Sequence, residues 1–495
     1  MTDSLFIGID IGTQGTKAVL CNTDGNVIAD SFCSSVLFRP NDKTVYEEPE
    51  NIFSSVITVI SQLTAKAEEK SQNIRAIAID AQMAGIMGIK NNFEASMPLD
   101  SWLDTRCSEY TELLKIKAGD SAIKMSGGQF IHAHAPKILW WKNEYKDIYD
   151  KTEKFIQPNG YVAGKLCGLK VEDAFMDYTF LHFNLFSDNL NCCFNKDMLK
   201  DFGIDESKMP KIVSPETVVG TVTDEYAEKC GLPRGVQFIA GCGDTAASSL
   251  GAGITSTGLA YDVAGTASVF ACCTDRFVPD TLNKTLLFSR SVCDDLFLPL
   301  SYISGGGLCL EWFSTLTGKS LKELDKAVTE TNPQDIPIFI PHFSGRTFPL
   351  DNRISGAFFG LNSQSDSASM HKAIMEAIAF EYKSYYDILC KSNCITSKTT
   401  VIGVGGGAKS DVFSQLKADV LGIDYATPKK ADSAPVAMAL LAAHATGYIS
   451  EPLSEIFVPD KNSTVYKPNS IKTETYKIKA EKYLHLLNNY GSYIT

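Results

Sequence analysis

Four short segments hold residues whose types and spacing suit chemistry on a phosphorylated or polyhydroxylated ligand. In Asp10-Ile-Gly-Thr-Gln-Gly-Thr-Lys17 an acid ends an apolar run and is followed by glycines and hydroxyls. Gly12 and Gly15 let successive backbone N–H groups turn inward as an anion-binding nest, with Thr13 and Thr16 as hydroxyl donors. Asp10 does nothing for a bare phosphate, but a carboxylate there can hold Mg²⁺, directly or through water, beside one. A plain hairpin with a capping Asp explains this loop equally well. Asp244 follows the apolar run VQFIAG in the segment GCGDTAA. Phosphoryl transfer to an alcohol needs a group that accepts the hydroxyl proton, and an exposed carboxylate is sufficient. From spacing alone, a turn-forming Asp is the simpler reading.

Trp102, Asp104 and Arg106 in SWLDTRC place an aromatic face, an acceptor and a fixed cation within five residues. Such a set suits a sugar or polyol, and a surface ion pair beside a core Trp fits it as well. Gly403-x-Gly405-x-x-Ala408, with Asp424 about 20 residues on, fits the dinucleotide fingerprint and leaves a nicotinamide-dependent oxidoreductase as an alternative class. There is no G-x-x-x-x-G-K-[ST], so a P-loop enzyme is not indicated. His132 and His134 have the spacing of two ligands on one strand face but lack a third, and a structural role is the better reading.

These residues need elements to hold them. Leu5 to Ala29 reads strand, turn, strand, turn, strand, with Asp24-Gly25 as a hairpin signal. Ile52, Val56, Val59, Ile60 and Leu63 predict a helix over 50–69, and IRAIAID a buried strand over 74–80. Val236 opens a strand that leads into a loop carrying Asp244. Val401 starts a strand that runs into glycines and a helix over 411–421. Ser433 caps a small-residue helix ending at Gly447, and a tail helix covers 474–487. Leu259 to Cys272 (LAYDVAGTASVFAC) echoes Phe6 to Cys21 (FIGIDIGTQGTKAVLC) about half the chain away, which reads as a duplicated domain.

Length agrees with that. A chain of 495 residues exceeds the roughly 250–300 at which one core stops growing, so two α/β domains are expected, 1–250 and 251–495. A net charge of −12 argues against a nucleic-acid or anionic-membrane partner. The 14 cysteines include two adjacent pairs and no C-x-x-C, so neither zinc nor disulfides are suggested. No run approaches the roughly 18 apolar residues of a membrane helix, and the start MTDSLFIGID lacks a secretory pattern, so a cytoplasmic protein is expected.

The segments GIDIGTQGTKAVL, AIAIDAQMAGIMGI, SWLDTRC, PKILWWKNE, GCGDTAA, DVAGTAS, SGAFFGL and GVGGGAKS, in this order, resemble the FGGY family of carbohydrate kinases, most of all its xylulokinase branch. The resemblance implies two ribonuclease-H-like domains of the actin and hexokinase type around a central cleft, ATP and Mg²⁺ as cofactors, and a small sugar or polyol as partner; a homodimer is compatible with it. It implies that Asp10, Gly12, Thr13, Gln14, Gly15, Thr16 and Lys17 form a first phosphate loop, with Asp10 at the metal. Gly265, Thr266, Ala267 and Ser268 would form a second. Gly405, Gly406, Gly407, Ala408, Lys409 and Ser410 would hold the adenosine side. Asp244 would be the catalytic base, and Gln82, Met83, Trp102, Asp104 and Arg106 would line the sugar pocket with it.

The implied reaction is phosphorylation of a primary hydroxyl, D-xylulose to xylulose 5-phosphate, with ribulose, erythritol or gluconate as alternative acceptors. Four departures bear on it. Ala84 stands where xylulokinases carry a histidine, and Asp80 where a small residue is expected. Trp141 is aromatic in an apolar position. The second signature, Gly356 to Glu376, has a long spacer and carries Ser369 in place of an acid or amide.

Overall fold

The apolar run from Leu5 becomes the middle of a six-stranded mixed sheet. Leu5–Gly12 (β1) pairs antiparallel with Gly15–Asn22 (β2), and β2 with Val27–Ser34 (β3). On its other side β1 lies parallel to Ile74–Ala81 (β4). Val218–Thr221 (β5) edges Gln237–Gly243 (β6), which is parallel to β4, so the order is β5-β6-β4-β1-β2-β3. Strands β1 and β4 are covered on both faces, which is why they read as continuous apolar runs. Pro49–Ala67 (α1) begins with Pro in its first turn and buries Ile52, Val56, Val59, Ile60 and Leu63, the stripe visible in the sequence. The structure, a computed structural model, describes residues 4–265, 267–331, 335–396, 398–429 and 433–491.

Two local expectations are corrected. IHAHAP is no strand: His134 opens the helix His134–Glu144 (α2), because Pro136 suits a first helical turn and Ile138, Leu139 and Trp141 repeat at helical spacing into a core. Asp244 is not in a loop. It is the first residue of Asp244–Gly251 (α3), which starts directly off β6, and an acid is favoured at that end by the helix dipole.

The second sheet repeats the first. Leu259–Ala264 (β7), Ser268–Cys272 (β8) and Phe297–Ile303 (β9) form an antiparallel run. Thr400–Gly405 (β10) and Tyr425–Thr427 (β11) continue parallel to β7, and Thr464–Tyr466 (β12) closes the edge antiparallel. The helices Gly306–Thr317 (α4), Leu321–Thr331 (α5), Ser367–Lys391 (α6) and Asp411–Leu421 (α7) accompany it. The unusual Ser369 has a local use: with Asp366 it forms a reciprocal capping box that starts α6.

The chain divides into two units, Met1–Thr255 with Phe288–Asp295 and Asp432–Val458, and Ser256–Leu287 with Leu296–Ala431 and Pro459–Thr495. The first unit thus takes two segments from the second half of the chain. One of them carries Ala434–Ala445 (α8), whose small residues let it lie directly on β1. The tail helix, Ser470–Tyr490 (α9), is longer than the apolar pattern suggested because the Asn469 side chain caps it by accepting from the N–H groups of Ile471 and Lys472.

Contact between β1 and α8 rests on Gly8. A Cβ there would sit 1.7 Å from the Pro435 carbonyl oxygen and 2.5 Å from the Ala439 nitrogen. Gly8→Ala should therefore cost at least about 3 kcal/mol, the upper range of overpacking, because backbone rather than a side chain must move. A denaturant midpoint equal to the parent's would show that α8 does not lean on β1 this closely.

Candidate active site

Parallel pairing puts Asp10 of β1 beside Asp80 of β4, and Gly243, the last residue of β6, beside Ala81. Asp244 comes next. Three carboxyl groups thus collect where three parallel strands end, the edge at which such sheets bind ligands. Asp80 is fully buried, and neither of its oxygens meets an N–H or hydroxyl donor. The group beside it is the Asp10 carboxyl, with which it can share a hydrogen bond only by keeping a proton. Burial, then the charges of Asp10 and Asp244, push Asp80 well above the usual carboxylate range. Burial also raises Asp10, against the pull of Lys17 at 3.9 Å. Asp244 keeps part of its surface open, yet desolvation and then the Asp10 charge push it up to about 7, against the Thr245 hydroxyl, which donates at 3.1 Å.

The hairpin between β1 and β2 turns through Thr13 and Gln14. Gly15 is pressed against Phe32, whose ring would lie 2.4 Å from a Cβ. Thr16 faces the other way, bonded to Ser55 at 2.6 Å, so its hydroxyl is engaged with α1. Thr13 accepts from the Trp102 indole at 2.9 Å, tying a residue expected at the sugar to the phosphate loop.

Gln82 donates to Glu47 at 2.6 Å and leaves its own side-chain oxygen buried without a partner. Burial chiefly pushes Glu47 up to about 7. Met83 lies against Gly243, where a Cβ would be 2.3 Å from its Cε. Asp104 and Arg106 are engaged internally. Asp104 accepts from the Val45 N–H and from Arg106, both at 2.8 Å, while Arg106 also donates to Asp100 at 2.6 Å and lies 4.3 Å over Trp140. The aromatic Trp141 is explained here, since its indole donates to Asp100 at 2.6 Å. Buried Lys137 donates to the Ala84 carbonyl at 3.1 Å and the Ser101 carbonyl at 2.7 Å. His134 bonds the Met83 carbonyl at 2.9 Å and His132 the Ser108 hydroxyl at 3.1 Å, and burial holds both imidazoles down near pH 4.

The second unit has a cavity of about 870 Å³. Gly265, Ser268, Gly406, Gly407, Lys409 and Ser410 are on its wall, with Ala267, Gly405 and Ala408 next to them in the chain. Thr266 lies outside the described residues. Gly405 has φ +83°, and a Cβ on Gly407 would come 2.5 Å from the Ala264 Cβ, so this turn tolerates only glycine. Ser410 caps α7 by accepting from the Phe413 N–H at 3.1 Å. Asp262, the echo of Asp10, is fully buried and bound by Lys417 and by the Tyr382 and Tyr425 hydroxyls, each at 2.6 Å. It is a core ion pair, not a second metal carboxylate.

Residues 5–251 match the N-terminal domain of the FGGY family of carbohydrate kinases, and residues 287–446 match its C-terminal domain. The chain belongs to this family. It is 27% identical over 463 residues to a gluconokinase of Bacillus subtilis (strain 168), covering 90% of this chain and 88% of that protein. To a xylulose kinase of Escherichia coli (strain K12) it is 25% identical over 496 residues, 98% of this chain and all of that one. A ligand-bound xylulose kinase from Lactobacillus acidophilus shares the fold, with a TM-score of 0.89 at 24% identity over 98% of both chains. The chain is therefore an ATP-dependent carbohydrate kinase with two actin-like α/β domains, and the nicotinamide reading of the Gly403 turn falls. Among its described residues no helix is long and apolar enough to cross a membrane.

The kinase site holds residues that spacing did not disclose. Thr179 accepts from the Gly243 N–H at 2.9 Å and donates to Asp177, fixing the strand end just before Asp244. Nothing local in DYT signals this. Asp80 did leave a signal, an acid at the next-to-last position of an apolar strand. Its orphaned oxygens and the Asp10 carboxyl are a donor set of the kind a hydrated Mg²⁺ takes, which needs only one or two protein carboxylates.

A carboxyl whose folded pKa is raised costs stability above its unfolded value near 3.8, and the cost grows until pH passes the folded value. Asp80→Ala should accordingly raise the melting temperature of the cation-free kinase, by more at pH 8 than at pH 5. A variant that melts at or below the parent temperature at pH 8 would show that Asp80 is not strained.

Proposed function

We propose that this kinase transfers the γ-phosphoryl group of ATP to a primary hydroxyl of a neutral ketose or polyol, with D-xylulose the first acceptor to test. The observation that carries this reading is Asp244: a partly open carboxyl at the end of a parallel strand, held near pH 7 by burial and by Asp10. Near neutrality such a group can accept the hydroxyl proton and release it again. In the step, the sugar oxygen forms a bond to the γ-phosphorus, the bond to the bridging oxygen of ADP breaks, and the proton goes to Asp244. Asp10 would hold the cation, and the backbone of Gly12 to Gly15 a phosphate. Gly265 to Ser268 and Gly405 to Ser410 would take the remainder of the nucleotide. Mg²⁺, when bound, offsets charge on the phosphates.

Gln82, Met83 and Trp102 would meet the sugar, while Asp104 and Arg106 would brace their loop. The cations around the Gln82 turn favour a neutral acceptor over a sugar acid. Arg106 is paired with Asp100 and Asp104, and Lys137 with backbone carbonyls, so neither offers its charge to a carboxylate. Gluconate remains the second reading because a gluconokinase is among the similar proteins.

ADP release measured across ketoses, polyols and sugar acids tests the class, and faster turnover of gluconate than of any neutral sugar would reverse the preference. Asp244→Asn should retain sugar and nucleotide binding and lower kcat by roughly 10² or more. Turnover near the parent value would remove Asp244 from the role. As the working base must be deprotonated, kcat/KM should fall as pH drops through about 7 and level off above it; a flat profile from pH 5.5 to 8 would exclude a base of this pKa.

A further inference from the structure

Away from its glycines, the wall of the 870 Å³ cavity is built by α4, α5 and α6 and by the first turn of α7. Leu310 of α4 and Met375 of α6 give it apolar surface. Glu311, Lys322, Lys326 and Asp411 also line it, and among its polar groups one hydrogen-bonded pair joins two of the helices. His371 of α6 is 1% exposed, and its Nε2 lies 2.8 Å from Oδ1 of Asp325 on α5. A carboxylate oxygen only accepts, so Nε2 carries the proton. The other ring nitrogen, Nδ1, is buried without a partner, and a bare lone pair there costs less than an orphaned N–H would. The tautomer and the Asp325 rotamer are thereby locked together. With Oδ1 committed to His371, Asp325 can offer Oδ2, and its side chain is one-fifth exposed.

We infer that Asp325, oriented by His371, reads the edge of the nucleotide base in this cavity and selects a 6-amino purine over a 6-oxo purine. The inference rests on the reading of the cavity as the ATP site. With the phosphates on the glycine wall, the base is left with the α4–α6 wall, whose apolar side chains suit its faces. At its edge a fixed acceptor meets the 6-amino group of adenine as a donor. In the pose that suits adenine, the 6-oxo group of guanine or hypoxanthine would instead bring a second acceptor against the carboxylate oxygen, and pairing through the neighbouring N1–H would require the base to shift. His371 is a positioning residue in this arrangement.

Asparagine at 325 inverts the code. Its carbonyl oxygen stays on the His371 N–H, so the amide NH₂ is turned outward as a donor. Asp325→Asn should therefore weaken ATP and improve GTP and ITP, changing the ATP-to-GTP ratio of kcat/KM by at least tenfold while the KM for sugar is unchanged. An unaltered ratio would overturn the inference. The parent protein supplies a test that does not depend on the variant's folding: calorimetric binding of ATP, ITP and GTP without sugar. ATP should bind at least tenfold more tightly than ITP, which differs at the 6-position and in the N1 proton, and equal affinities would also overturn the inference. Sugar phosphorylation by the parent with ATP is read separately, so failure of the kinase reading is distinguishable from failure of the base-reading pair.

Discussion

Like charges gathered at strand ends constrain the first unit more than any other feature. Parallel pairing of β1, β4 and β6 brings Asp10, Asp80 and Asp244 to one edge of the sheet, where water is partly excluded. Carboxylates in such a place resist ionising together, because each charge loses solvation and feels the others. The outcome differs by position. Asp80, wholly enclosed, is driven furthest toward its neutral form, whereas Asp244, partly open and bonded to Thr245, settles near pH 7. One cluster thus contains a buried acid and a group able to exchange protons under physiological conditions. The neighbouring elements hold this arrangement still: Thr179 and Asp177 pin the end of β6, and Trp102 pins the β1–β2 turn.

The duplicated hairpins show how one backbone plan accepts two chemistries. β1–β2 and β7–β8 occupy matching places in sheets of six and seven strands, and each has an acid two residues before its first strand ends. Asp10 has a lysine at 3.9 Å on the facing strand and other acids beside it, so it stays available to a cation. Asp262 is enclosed by Lys417 and two tyrosine hydroxyls, so its charge is satisfied internally. The desolvation of an ion pair so deeply buried offsets much of its attraction, so it adds little net stability. Beside the second hairpin, the glycines after β10 lie against Ala264, the last residue of β7.

Much of this was legible in the amino-acid order because it depends on local pattern. The continuous apolar runs at Leu5 and Ile74, the helical stripe after Pro49 and the glycines at 405–407 each carry their own periodicity or backbone requirement. The order of eight motifs pointed to the family. Asp80 stood out as an acid where a small residue was expected.

Spacing failed where a residue's role is set by what lies across the fold. For Asp104 and Arg106 spacing left a sugar site and an ion pair equally open, and only the fold shows Val45 and Asp100 bonded to them. The two histidines of IHAHAP had the spacing of a strand face, but the helical repeat after Pro136 took precedence. Ala434–Ala445 lies far along the chain yet belongs with β1, through a contact that only a glycine at position 8 permits. His371 and Asp325 are 46 residues apart on separate helices, and no local signal joins them. Short-range order in the chain determined the strands, turns and motif chemistry, because those follow from neighbouring residues. Charge pairing, burial and the resulting proton affinities were decided only by tertiary structure, because they depend on which distant groups share a space from which water is excluded.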